Sequence, residues 1–333
     1  MTDTKSADKN LMEHPRPSRS PAKINGEPVI SCTGIIDLHT HTNLSDGSMT
    51  PEELVELAFR TGIRYLSITD HDTLSGVERA TAAAREIAEA TAGPKAPTAV
   101  AGNSAVQTLT IIPGIEFGAL YHCELHILGY FRQDNYRNLQ PFIDQTRKGR
   151  ADRNIGVLDK LNRLGFAITA EEVSAEAGKR IFGRPHIAAV MVKKGYCKSP
   201  DQAFSHFLAF GKKAYIDRTM PTPADCVAAI TEAGGIAVIA HPVHINMKLK
   251  SLRKLIAELI PFGLAGLEVY YTDNTPQDTK KFLALADEFR LIATGGSDFH
   301  GAYKKGLFLC IGRGNLCIPD SLADTILQAL NRQ

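Results

Sequence analysis

The sequence predicts an α/β protein built on parallel strands, and three observations predict it. From residue 34 onward short apolar runs alternate with longer amphipathic stretches. The first such stretch has strong helix signals at both ends. Nearly every cluster of histidine and acid then falls at the C-terminal end of an apolar run, the end at which parallel barrels and open α/β sheets carry their sites.

Residues 35–38 read as the first strand, ending in Asp37-Leu38-His39-Thr40-His41. Thr50-Pro51-Glu52-Glu53 opens a helix, because threonine caps it, proline tolerates its first turn and acids favour its positive end. That helix closes near Gly62, and residues 65–69 form the next strand, delivering Asp70-His71-Asp72. Residues 77–89 are alanine-rich and helical; residues 91–104 form a loop, and 108–112 a strand followed by Gly114-Ile115-Glu116. Further strands are expected at 125–130, 236–240 (ending in His241-Pro242), 266–270 and 291–294, the last leading into Ser297-Asp298-Phe299-His300. Residues 135–219 break the alternation. Helices are expected there at 144–164, 170–177, 185–194 and 200–209, so 135–219 reads as an inserted helical substrate subdomain, with 34–134 and 220–333 forming the metal-binding body. Residues 1–33, polar and proline-containing without a signal-peptide apolar stretch, read as a disordered extension.

Composition excludes several classes. The chain is 44% hydrophobic and 22% charged, and its formal net charge of +2 leaves no electrostatic footprint for nucleic acid. No apolar run approaches the ~20 residues that span a bilayer. Six cysteines without Cys-x-x-Cys spacing read as reduced thiols of a cytoplasmic protein. No aromatic-plus-basic strand stands out, which argues against a long nucleic-acid substrate, and Phe182 and Tyr215 read as core aromatics.

The candidate ligands at strand ends are His39, His41, Asp46, His71, Glu116, His126, His241, Asp298 and His300. In a strand, side chains at i and i+2 share a side, so His39 and His41 can converge on one ion, as can Asp298 and His300. Six histidines with three acids suit zinc, manganese or iron better than magnesium or calcium. Nine ligands exceed the needs of one ion and suffice for two or three, with a carboxylate as bridge. Clusters of that kind hydrolyse phosphate esters by acidifying a water and holding phosphoryl oxygens. His14, His122, His206 and His244 read as lying outside the site.

As an ordered set, Asp37-Leu38-His39-Thr40-His41, Ser45-Asp46-Gly47, Thr69-Asp70-His71-Asp72, Pro113-Gly114-Ile115-Glu116, His126-Ile127-Leu128-Gly129-Tyr130, Ala240-His241-Pro242 and Gly296-Ser297-Asp298-Phe299-His300 resemble the polymerase-and-histidinol-phosphatase (PHP) family. The resemblance covers roughly residues 34–315. It implies a distorted (β/α)7 barrel with a trinuclear metal site. It also implies a division of ligands: His39, His41, Glu116 and Asp298 on one ion, Glu116 with His126 and His241 on a second, and Asp46, His71 and His300 on a third. Within the family the chain resembles the branch holding nucleoside 3′,5′-bisphosphate phosphatases and short-RNA 5′ exonucleases. A metal-bound hydroxide attacking a nucleotide phosphomonoester is the implied chemistry. Alternatives are a 5′ exonuclease on short oligonucleotides, a histidinol-phosphate-type phosphatase, or a non-catalytic metal-binding module. Arg184 and His186 of Phe182-Gly183-Arg184-Pro185-His186 are candidates to hold phosphate, ahead of Arg150 and Arg153, because a guanidinium can pair with two phosphoryl oxygens. Asp70 or Asp72 is expected to orient a ligand histidine. The same ligands accept zinc, manganese or iron, so the sequence selects no metal. It sets no oligomeric state either.

Overall fold

A computed structural model of the chain describes residues 32–92, 108–123, 125–178, 183–217, 220–245 and 247–333. Seven strands form one sheet in chain order: β1 (Ile36–Asp37), β2 (Tyr65–Ile68), β3 (Thr110–Ala119), β4 (Leu125–Tyr130), β5 (Ile236–Ile239), β6 (Leu264–Tyr271) and β7 (Ile292–Gly296). The helices are α1 (Pro51–Thr61), α2 (Ser75–Ala92), α3 (Gln140–Arg163), α4 (Ala170–Ala177), α5 (Arg184–Lys193), α6 (Pro200–Ala203), α7 (Pro223–Glu232), α8 (Leu249–Leu259), α9 (Pro276–Phe289) and α10 (Leu322–Leu330). Local chemistry accounts for their starts. At α1 the Thr50 hydroxyl accepts the Glu53 N–H while the Glu53 carboxylate accepts the Thr50 N–H, and Thr169, Thr222 and Thr275 cap α4, α7 and α9 in the same way.

The sheet curls into a nearly closed barrel, the expected seven-stranded architecture. Beyond the end of β1, Leu38 N–H donates to Gly295 O (3.2 Å), Asp298 N–H to His39 O (2.8 Å) and His41 N–H to Phe299 O (2.9 Å). Closure here demands a glycine. A Cβ on Gly296 would stand 2.3 Å from His39 Cβ, so no side chain fits where the first and last strands meet.

Strand alternation sorts the side chains. On β5, Ala237 and Ile239 face one apolar cluster with α7, α8 and α9, whereas Ile236 and Val238 face another that includes Ile326, Ala329 and Leu330 of α10. β3 alternates likewise: Ile115 and Phe117 pack outward, and Ile112 and Glu116 lie on the other face.

Two features depart from the expected alternation. β4 runs antiparallel to both β3 and β5. His126 therefore reaches the site rim from the N-terminal end of its strand, not the C-terminal end, and Glu116, paired with Leu128, sits inside β3 rather than after it. Between β4 and β5, the described residues hold helices and no strand. α3 to α6 surround their own apolar cluster, which includes Val157, Leu161, Ile187, Met191 and Leu208. The helix expected over 200–209 splits into α6 and a π-helical turn, Phe204–Leu208.

Six reduced thiols were too many. Cys32 is disulfide-bonded to Cys317 across 285 positions, and Cys123, Cys197, Cys226 and Cys310 are free. Spacing alone carries no signal for a bridge between the two ends of a domain. Thr33 adds hydrogen bonds to both carboxylate oxygens of Asp320 (2.9 Å each), so residues 32 and 33 belong to the folded body; the remainder of the expected extension, 1–31, and most of the 91–104 loop lie outside the described residues. Among the described residues no helix is long and apolar enough to cross a membrane. Removing the bridge should loosen this junction: Cys317→Ser is expected to cost about 2–4 kcal/mol. Thermal unfolding with and without reductant checks this, since reductant should lower the Tm of the parent and leave the variant unmoved.

Candidate metal centre

All nine expected ligands converge at the rim where β1, β2, β3, β5 and β7 end and β4 begins. Glu116 is the hub. Its Oε2 lies 3.3 Å from His39 Nε2, 3.2 Å from His41 Nε2 and 3.3 Å from His71 Nδ1. Its Oε1 lies 2.9 Å from His126 Nδ1 and 3.0 Å from His241 Nε2, and those two nitrogens stand 3.2 Å apart. Asp298 Oδ1 faces His39 Nε2 (3.6 Å), His41 Nε2 (3.3 Å) and His300 Nδ1 (3.4 Å). Asp46 completes the ring, 3.4 Å from His41 Nδ1, 3.7 Å from His71 Nε2 and 3.3 Å from His300 Nε2.

Four overlapping groups have donor atoms within 4.8 Å of one another: His39 with His41 and Glu116; His41 with Asp46 and His71; His41 with Asp298 and His300; His71 with Glu116 and His126. Three buried imidazole nitrogens here, His39 Nε2, His41 Nε2 and His241 Nδ1, have no hydrogen-bond partner. Leaving such groups unpaired costs about 1–3 kcal/mol each, and burying paired charges costs several more. A structural role would not gather so many costs in one place. A divalent cation explains them: its binding supplies on the order of 10 kcal/mol. The donor set fits borderline metals.

The surroundings hold the cluster rigidly. Asp37, fully buried, accepts the N–H and O–H of Ser297 (2.9 and 2.6 Å) and the Cys310 N–H (2.8 Å), locking the strand before His39 to the one carrying Asp298. Asp70, fully buried, accepts the Thr42 N–H and O–H (2.7 and 2.6 Å) and the Ser45 O–H (2.6 Å), and so fixes the loop that presents Asp46. Asp72 pairs with Arg150 of α3 at 2.6 Å. Asp72, His241 and Asp298 all have positive φ (53°, 25° and 56°), a conformation uncommon outside glycine and concentrated at functional sites.

A carboxylate outside the expected set contacts a ligand histidine directly. Glu268, fully buried on β6, places Oε1 2.9 Å from His39 Nδ1 and accepts the His241 N–H at 2.6 Å through Oε2. An acid flanked by Leu267 and Val269 in an apolar strand was the available signal. Tyr271 and Lys304 were also missed: the Tyr271 hydroxyl donates to Asp298 Oδ2 (2.8 Å) and Lys304 Nζ pairs with the same oxygen, leaving Oδ1 for the imidazoles. His244, placed outside the site by its position, in fact stands beside it. Its Nε2 is 3.2 Å from Tyr271 Oη and 3.1 Å from Asp273 Oδ2, and its ring packs on His241 at 5.4 Å.

Arg184 and His186, the expected phosphate holders, open α5 and make local contacts there. The Arg184 Nη1 donates to Leu208 O (3.1 Å) and its guanidinium lies over the Tyr215 ring (5.8 Å), while His186 Nδ1 accepts the Gly183 N–H (3.1 Å) at the start of α5. Tyr215 is half-buried and meets the exposed Phe210 edge-on at 5.2 Å, so it is no core aromatic; Phe182 lies outside the described residues.

Known proteins converge on the same reading. The PHP domain model matches residues 37–189. The chain is 30% identical over 265 residues to a 5′-3′ exoribonuclease of Haemophilus influenzae, covering 79% of this chain and 89% of that one. It is 29% identical to a 3′,5′-nucleoside bisphosphate phosphatase of Chromobacterium violaceum, covering 81% and 89%. A Bifidobacterium adolescentis structure described as a metal-dependent phosphoesterase superposes with a TM-score of 0.64 at 29% identity, over 88% of this chain and 95% of that one. The chain belongs to the PHP-domain family, and it is a metal-dependent phosphoesterase, a hydrolase of phosphoric ester bonds.

Charge in the metal-free cluster is proton-borne. Burial works against the charge on His41, but the carboxylates of Asp298 and Glu116, 3.3 and 3.2 Å from its Nε2, outweigh it and hold its pKa up at about 10. Burial alone would raise Glu116; the imidazoles of His71, His39 and His126 instead hold it well below the carboxylate range. Burial pushes His71 down to about 4. A raised histidine stabilises the fold fully below its unfolded value, near pH 6.5, and that contribution is lost as pH rises through about 10. A metal ion must take His41 without its proton. Calorimetric titration of Mn²⁺ at pH 7 in two buffers of different ionisation enthalpy should therefore show release of at least one proton, with affinity rising with pH. Buffer-independent heats would exclude His41 from coordination.

Proposed function

We propose that this enzyme hydrolyses a terminal phosphoester of a nucleotide, with the 3′-phosphate of nucleoside 3′,5′-bisphosphates as the first substrate class. The observation that carries the proposal is Glu116, a buried carboxylate met by five imidazoles and flanked by two further carboxylates, a donor set for two to three manganese, zinc or iron ions. His39, His41, Glu116 and Asp298 would hold one ion, His126 and His241 with Glu116 a second, and Asp46, His71 and His300 a third. Bound ions would acidify a water and neutralise phosphoryl oxygens. Glu268 would keep His39 in the tautomer that leaves Nε2 free to ligate. Tyr271 and Lys304 would hold Asp298 still. Arg150, bound to Asp72, would meet a phosphoryl oxygen, and residues 135–219 would act as the substrate subdomain.

The relatives named above act at nucleotide or RNA ends, which supports the substrate class. Hydrolysis from the 5′ end of very short oligonucleotides is the second reading, favoured by the exposed Phe210 and Tyr215 pair. We place the protein in the cytoplasm on its four free thiols. The Cys32–Cys317 bridge argues the other way, since disulfides are rare in that compartment.

Phosphate release from adenosine 3′,5′-bisphosphate, 5′-phosphorylated trinucleotides and histidinol phosphate, each with Mn²⁺-loaded protein, tests the proposal. Selective turnover of either nucleotide class is expected, and histidinol phosphate as the preferred substrate would sink it. His39→Ala and Asp298→Ala should each lower kcat by at least 10²-fold and reduce bound metal. Glu268→Gln is expected to weaken metal affinity about 10- to 100-fold while recovering activity at high Mn²⁺. Unchanged metal affinity in that variant would deny Glu268 its role.

A further inference from the structure

Phe210 has the most exposed large apolar side chain among the described residues, at 81%, although it lies next to a packed helical segment. Its ring meets Tyr215 edge-on at 5.2 Å, and the Arg184 guanidinium lies over the other aromatic at 5.8 Å. Lys212 and Lys213 lie between the two rings in sequence, both exposed, and neither makes an ion pair among the described residues. Exposing a phenylalanine forfeits about 1.5–3 kcal/mol of burial, so its position calls for a ligand.

α3 connects this patch to the metal rim. Arg150 is bound to Asp72 beside His71. Arg153 lies one turn further along α3, and the Tyr215 hydroxyl donates to Asp217 at 2.9 Å. A Cβ on Gly156 would stand 2.5 Å from Ile216 Cδ1, and Lys160 Nζ donates to Tyr215 O at 2.6 Å, so the aromatic segment lies directly against the helix. The six residue steps from Arg150 to Gly156 rise roughly 9 Å, two to three nucleotides at roughly 3.4 Å per stacked base.

We infer that Phe210 and Tyr215, flanked by Lys212, Lys213 and Arg184, form a stacking platform for a base of a short single-stranded oligonucleotide whose terminal phosphate lies at the metal cluster. It rests on the oligonucleotide reading above. Aromatic faces take any base, and the lysines meet backbone phosphate, so the platform selects strand length rather than sequence. A mononucleotide at the cluster would not reach it.

The test uses the Mn²⁺-loaded full chain. Fluorescence anisotropy of a 3′-fluorescein-labelled tetranucleotide reads binding, and phosphate release from adenosine 3′,5′-bisphosphate reads the centre. Phe210→Ala should weaken tetranucleotide binding about 5- to 100-fold and leave mononucleotide turnover unchanged, with Phe210→Trp restoring affinity. Lys212→Glu with Lys213→Glu should also flatten the salt dependence of binding. Equal affinity in parent and Phe210→Ala, or no binding by the parent, overturns the platform, whatever the mononucleotide result. Tetranucleotide binding that depends on Phe210 without any nucleotide hydrolysis would leave the platform standing and remove the proposed activity.

Discussion

Glu116 has no water to face. It sits on the inner side of a barrel strand with apolar neighbours before and after it, and its charge survives only because five imidazoles from four segments turn toward it. That requirement propagates outward. His39 and His41 must arrive from β1, which needs the barrel to close against β7, which needs Gly296 to have no side chain. His126 must arrive from a strand running the other way. Asp37, Asp70 and Glu268, themselves buried, hold the backbone and rings in place, so a layer of carboxylates surrounds the layer of histidines. The positive φ of Asp72, His241 and Asp298 shows where the backbone yields to this demand.

Much of this was legible in the residues. All seven strands could be read from apolar runs, because burial on both faces of a barrel strand leaves an unbroken apolar signature. Seven of the nine clustered residues could be read because polar side chains follow those runs at the same end, whereas His126 opens its strand and Glu116 sits inside one. The direction of β4 was not legible, because the expected strand stops at 112; only the full length of β3, to Ala119, leaves residues 120–124 as a connection too short for a parallel crossover and ample for a hairpin. Glu268 carried its own signal, an acid inside an apolar strand, but a hunt for strand ends passes over strand interiors.

Other features had no local signature. Cys32 and Cys317 meet only because the chain's two ends meet, and no spacing rule spans that separation. His244 is drawn in by Tyr271, a partner on the next strand. Tyr215 looks like a core aromatic in sequence because exposure is decided by which face of the segment α3 leaves uncovered.

The reversed strand has an architectural consequence. Tyr130, the last residue of β4, pairs with Ile236, the first of β5, so the chain leaves and re-enters the barrel at neighbouring points on the rim away from the metals. A segment whose ends already touch can lengthen almost freely, since each doubling adds only about 0.6 kcal/mol of closure entropy. The helices between them can therefore vary in length and packing without disturbing the register of a single strand of the barrel.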